Sequence, residues 1–267
     1  MRSVRLLFVL LLATSLVGCI ASTTLIRVSP DGSGTVEQTV TMNPEAVAGL
    51  MQLAAGFGEK GREGQGKPPD LFSEKELQAA APKLGEGVRF VSSERIKTKE
   101  AEGVKAIYAF TDITKLHINQ KPDIAAPGAP AMSGSSREDV AFRFARRPGG
   151  SAVTVVFPDF KISPEKAREK EKADPSQLAM MRELFKGLRI SIAMEVAGRI
   201  LKTNSPYVAG STVTLLEIDF ARLLEDPAAF EKLQGVSSLE EAKVQLRGIK
   251  GLKISTDKEV VVEFAGR

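Results

Sequence analysis

The sequence predicts an α+β domain over residues 23–267, with antiparallel β-sheet built from hairpins and amphipathic helices packed on one side. Two observations carry this. Segments with period-two alternation come in adjacent pairs joined by Gly, Pro and Asp turns, the pattern of antiparallel neighbours. Helix-start signatures fall between the pairs and do not alternate one for one with strands, so a doubly wound parallel sheet is not expected. No short-period repeat is present.

The first pair spans residues 23–29 and 35–42. Val36, Val40 and Met42 share one face, and Glu37, Thr39 and Thr41 the other. Between them Pro30-Asp31-Gly32-Ser33-Gly34 is a turn, since glycine reaches positive φ without strain. It is not a phosphate loop, which needs a strand-to-helix context and a Lys. Asn43-Pro44-Glu45 opens a helix with cap, first-turn proline and acidic residue in order, and Val47, Leu50, Met51 and Ala54 form its stripe. Residues 56–70 are a Gly/Pro-rich mobile loop. Phe72-Ser73 then starts a second helix, with Ser73 and Glu76 as a capping box and Phe72 against Leu77 as a staple.

Four strands follow at 88–97, 104–111, 139–145 and 152–157. Their alternation is clear in Val104/Ala106/Tyr108/Phe110, Val140/Phe142/Phe144 and Val153/Val155/Phe157. Residues 119–137 are poor in large apolar side chains and rich in Pro, Gly, Ala and Ser, so a second mobile loop is expected there. A charged helix start covers 163–172. Asp174-Pro175 begins an amphipathic helix with Leu178, Met181, Phe185 and Leu188 on its apolar side. Residues 189–197 have the most regular alternation in the chain: Ile190, Ile192, Met194 and Val196 on one face, Arg189, Ser191 and Glu195 on the other. A turn at 204–210 leads to a strand at 212–220. Short helices are expected after Asp226-Pro227 and at Ser237, and a hairpin of 252–255 with 259–264 closes the chain.

Ahead of all this lies a segment of a different kind. Arg2 and Arg5 precede an apolar run over residues 6–13, and residues 14–18 are mostly small. This is the layout of a secretory signal, and the run is too short for a spanning helix of about 20 residues. It ends in Leu16-Val17-Gly18-Cys19, which holds the chain's one cysteine. These four residues resemble the lipobox of bacterial lipoproteins. The resemblance implies that residues 1–18 are removed as a signal peptide. It also implies that the Cys19 thiol carries a diacylglyceryl group, and that 19–22 form a lipidated tether on a membrane. Each buried methylene contributes roughly 0.8 kcal/mol, and one chain holds only marginally, so the two or three acyl chains of a lipoprotein make a durable anchor. Ile20 follows the cysteine where an enterobacterial inner-membrane lipoprotein carries Asp, so the resemblance points to the outer membrane of a bacterial cell envelope. The lipobox, the Asp-Gly hairpin soon after it and the later α+β elements also resemble, in outline, the LppM-type lipoprotein domain. That resemblance implies a non-enzymatic envelope module.

Composition narrows the partners. The formal net charge is +4, of which the signal supplies two, leaving a nearly neutral remainder that does not suggest nucleic acid. Trp is absent and Tyr occurs twice, which argues against stacking platforms for sugars or single strands. No cofactor or metal site is indicated. His117 is the only histidine and stands alone in Lys115-Leu116-His117-Ile118, so an edge or surface role is expected. Glu217 and Asp219 share a strand face that Glu195 could approach, a candidate pair for acid/base work or Ca²⁺, although a polar sheet face is the simpler account. Arg143, Arg146 and Arg147 cluster near one turn and could meet anionic head groups, or simply be solvated.

Three functions follow from these readings. The leading one is a lipid-anchored, non-enzymatic interaction module, its partners the membrane through Cys19 and an envelope protein or lipid. The second is a carrier holding a hydrophobic ligand between sheet and helices. The third is a carboxylate-dependent hydrolase.

Overall fold

The computed structural model describes residues 20–44, 47, 73–119, 139–158, 187–226, 245–246, 248–255 and 257–266. In chain order the strands are β1 (Ile20–Val28), β2 (Gly34–Met42), β3 (Arg89–Lys97), β4 (Glu102–Phe110), β5 (Ile118–Asn119), β6 (Asp139–Arg147) and β7 (Gly150–Val156). They continue with β8 (Leu188–Val196), β9 (Gly198–Thr203), β10 (Val208–Ala209), β11 (Thr212–Asp219), β12 (Leu252–Ile254) and β13 (Glu259–Gly266). The helices α1 (Glu74–Ala80) and α2 (Phe220–Leu224) have seven and five residues.

The strands form two sheets. One is eight-stranded, in the order β10-β11-β8-β1-β2-β4-β3 with β12 on β11; the other is five-stranded, β5-β6-β7-β13-β9. This overturns the expected class. Among the described residues the fold is mostly β, its larger sheet is mixed, and helices do not pack along one side. One core cluster holds inner-face residues of both sheets: Ile26, Val36, Tyr108 and Met194 from the first, Phe142, Val153, Val262 and Phe264 from the second. The alternation along each strand identified the buried face. It did not say what buries it, and here a second sheet takes that place.

The larger sheet is mixed because β1 pairs in parallel with β8, Ile20 opposite Leu188 through Val28 opposite Val196. β8 follows long after β1 in the chain, so hairpin logic cannot predict this pair. Its expected side pattern holds: Ile190, Ile192, Met194 and Val196 are buried, and Arg189, Ser191 and Glu195 are partly exposed.

Two further corrections concern the places where the chain changes sheets. Residues 252–255 and 259–264 do not form a hairpin: β12 pairs with β11 and β13 with β7 and β9. β9 itself has no counterpart in the sequence reading. The chain leaves β8 in one sheet and enters β9 in the other after the single residue Ala197, whose N–H donates to Val28 O at 2.8 Å. A Cβ at Gly198 would stand 1.9 Å from Ala265 O, so the crossing depends on a residue without one. Corners of this kind are how packed sheets exchange strands.

Local readings fare better. β1 and β2 are a hairpin in which the Asp31 carboxylate accepts from the Ser33 N–H (3.0 Å) and hydroxyl (2.7 Å). Gly32 takes φ of 90° with the Phe144 ring beside it, so the tip meets the second sheet. The Ser73 hydroxyl caps α1 by accepting from Glu76 N–H at 3.2 Å, the serine half of the expected capping box. After β2 the Val47 N–H donates to Asn43 O at 3.1 Å. Tyr108 is fully buried, stacks edge-on against Phe90 at 5.9 Å and donates its hydroxyl to Leu77 O at 3.1 Å. Burial pushes its phenol pKa up.

β1 begins at Ile20, so 20–22 are strand and not tether. The helices expected at 163–172 and after Asp226-Pro227, and most of those expected at 174–187 and from Ser237, lie outside the described residues, as do the loops at 56–70 and 120–137; Leu188, read with the 174–187 helix, opens β8 instead, and Asn119 belongs to β5.

Candidate functional site

The candidate anchor, Cys19 with Leu16, Val17 and Gly18, precedes the first described residue. What the structure adds is its neighbour. Ile20 opens a strand in the interior of the eight-stranded sheet, held on one side by Met42 of β2 and on the other by Leu188 of β8. Its N–H bonds Gly187 O at 3.4 Å.

The three candidate carboxylates lie on the outer face of this sheet; Glu217 and Asp219 are neighbours two residues apart on β11, and the fold does not bring Glu195 to them. Glu195 stands opposite Thr212, Glu217 opposite Ser191 and Asp219 opposite Arg189. Four residue steps along β8 separate the Glu195 and Glu217 levels, roughly 13 Å at ~3.3 Å per residue. Each carboxylate has a cation: Glu195 has Arg27 at 3.1 Å, Glu217 has Lys253 at 2.8 Å, and Asp219 has Arg189 at 2.6 Å with Arg222 at 3.7 Å. Among the described residues no group of three His, Cys, Asp or Glu side chains could hold a metal ion.

Asp219 has a structural task that its strand pattern hid. It ends β11 and caps α2, accepting from Arg222 N–H at 3.2 Å. Burial pushes its carboxyl up, but the Arg189 hydrogen bond, the Arg222 N–H and the two guanidinium charges outweigh this and hold it below the usual carboxylate range. A lowered folded-state pKa contributes stability above the unfolded pKa, lost as pH falls through the folded one. Asp219→Asn keeps a competent cap but removes the charge. It is expected to cost about 1 kcal/mol at neutral pH, a charged hydrogen bond discounted for the exposure of Arg189. The gap between wild type and variant should close below the usual aspartate range. Urea unfolding across a pH series checks this, and a gap that persists in acid contradicts the assignment.

Sequence reasoning also missed a ladder of alternating charge across four strands. Glu195, Arg27, Glu37 and Lys105 follow one another on β8, β1, β2 and β4 at 3.1, 2.9 and 3.7 Å. Hydrogen bonding to Glu37 leads the causes that raise the Arg27 pKa. The Arg27–Glu37 pair is a cross-strand diagonal that the hairpin register alone implies. Glu195 joins through the parallel pairing of Arg27 opposite Glu195. Such exposed pairs contribute at most about 1 kcal/mol each, so the ladder fixes register more than stability.

The arginine cluster is paired too. Arg143 meets Glu259 at 2.6 Å, Arg147 meets Glu263 at 3.1 Å, and Arg146 donates to Asp31 O at 3.4 Å. His117 is exposed, and its backbone N–H bonds Leu84 O at 2.8 Å.

No protein-family model matches the chain, and no curated protein sequence matches it. Among solved structures the chain is similar to the folded domain of the Mycobacterium tuberculosis LppM protein, determined by NMR. The likeness covers 93% of this chain and 91% of that one, at 9% sequence identity and a TM-score of 0.32.

Proposed function

We propose that the protein is a lipoprotein of the bacterial cell envelope, anchored through acylated Cys19, whose folded part is a non-enzymatic binding or interaction module. The observation that carries this is Leu16-Val17-Gly18-Cys19 at the end of a signal-like segment, with no second cysteine anywhere in the chain. A lone thiol in an oxidising compartment has no internal disulfide partner, and acylation consumes it. Ile20 in the position after the cysteine favours the outer membrane. The separate pairing of Glu195, Glu217 and Asp219 with basic side chains favours a module over a carboxylate-dependent hydrolase.

Cys19→Ser is expected to move the protein out of the membrane fraction, or to leave an uncleaved precursor. The β-domain should melt as before, because no described contact uses that thiol. Fractionation with a high-salt wash and intact mass measurement check this. A cleaved Ser variant that stayed in the washed membrane would show that lipid on Cys19 is not the anchor.

A further inference from the structure

We infer that β9 is a docking edge for an acidic, extended segment of a partner protein, which joins the five-stranded sheet as a further strand. This deepens the interaction-module reading above by naming the surface and the chemistry of its partner, and it does not depend on lipid at Cys19.

β9 (Gly198–Thr203) lies at the end of its sheet and pairs with β13 alone. The antiparallel ladder occupies main-chain groups on one side of an edge strand and leaves those on the other side open. Among the described residues nothing hydrogen-bonds that second side. Leu201 is 52% exposed, and Arg199 and Lys202 are exposed beside it. The strand has six residues, roughly 17 Å at ~3.3 Å per step, which is the length of an ordinary strand.

The sign of this edge comes from a bulge. Arg199 stands opposite Ala265, Ile200 opposite Phe264 and Lys202 opposite Glu263, so Leu201 is the extra residue. In a regular strand, positions three apart point to opposite faces. The extra residue cancels that difference. Phe264 is fully buried between the layers, so Glu263 and Ala265 on either side of it face outward. Arg199 and Lys202, opposite these two, share that outer face. Glu263 is held by Arg147 at 3.1 Å, and Arg199 and Lys202 have no ion pair among the described residues. The edge therefore presents two uncompensated cations on one face, with an exposed leucine between them.

That charge selects the occupant. A second copy of this chain pairing through β9 would bring like charges together, and basic side chains on an edge keep such copies apart. A strand that bears carboxylates meets the reverse. Its acidic residues face Arg199 and Lys202, its main chain fills the open ladder, and an apolar residue covers Leu201. Anionic head groups match the charge but carry no ladder of N–H and C=O groups to complete the edge. The other sheet edges suit an acidic strand less. β5 and β10 have two residues each, and β3 mixes Glu94 with Arg89 and Lys97.

The test uses the full chain in a neutral detergent. The probe is a dye-labelled, end-blocked peptide of alternating Glu and Val, about seven residues long to match a strand. A Lys/Val peptide of the same length is its counterpart. The acidic peptide should bind, and hydrogen exchange at 198–203 should slow several-fold when it does. Arg199→Glu combined with Lys202→Glu should weaken that binding by about tenfold or more and let the Lys peptide bind instead. Both side chains are exposed and outside any ion pair, so the variant should melt with the wild type. An acidic peptide that does not bind, that binds wild type and variant equally, or that binds without slowing exchange in β9 overturns the inference. Slowed exchange at 198–203 on phosphatidylglycerol vesicles, with none from the peptide, makes the edge a lipid contact and overturns it as well. No readout here requires acylation. A negative result therefore leaves the proposed anchor standing, and a chain found without lipid on Cys19 leaves the β9 result intact.

Discussion

Phe264→Ala is expected to lower stability by roughly 3–5 kcal/mol, the range for a large aromatic removed from a packed core. Phe264 is fully buried in β13, the strand that joins β7 to β9 in the five-stranded sheet, and it belongs to the cluster that both sheets share. Its removal opens a void at the contact between layers, where neither sheet can move without disturbing the other. Domains of this size are held by about 5–15 kcal/mol, so the variant should unfold at much lower urea and be largely unfolded if the total is at the low end. Leu201→Ala is the matched control. Leu201 is 52% exposed on edge strand β9, and the change should stay within about 0.5 kcal/mol. Similar losses for the two variants would mean that the layers do not meet at Phe264.

Ile192→Ala is expected to cost roughly 2–5 kcal/mol. Ile192 is 3% exposed and lies between Thr24 of β1 and Leu216 of β11, with Met194 next on the same face. The same variant separates the interaction module from a hydrophobe carrier. A side chain lining a ligand cavity already faces open space, so its truncation would change stability little and alter the lipid that co-purifies instead. Melting and bound lipid, measured together, decide. A large stability loss with no lipid on the wild type removes the carrier. A near-neutral variant with altered lipid removes the packed core. The packing of Ile192 against Met181 and Phe185, which the sequence suggests, lies outside the described residues.

What could be read from the sequence was local. The turn chemistry of Asp31-Gly32-Ser33, the Ser73 cap and the inward faces of β4, β6, β7 and β8 all depend on residues within a few positions of one another. Propensity, capping and period-two alternation act over that range. The proposed anchor is legible for the same reason, since a signal is recognised as a linear segment. The carboxylates show the limit. Their common face was visible in the alternation, but Arg27, Lys253 and Arg189, which pair with them, come from other strands.

Only the tertiary structure decided which layer covers which. A strand with one apolar face is buried equally well by a helix or by another sheet, because the hydrophobic effect scales with area and is indifferent to the partner's backbone. The α+β expectation failed on that degeneracy. The parallel pairing of β1 with β8, the sheet change at Ala197 and the separation of β12 from β13 are choices among long-range partners. Such choices depend on the summed packing of the whole core and leave no period in the residues on either side. The sequence by itself determined where strands turn and which side chains face inward. Steric fit between two sheets, down to the bare Cα of Gly198 beneath Ala265 O, determined how those strands are shared.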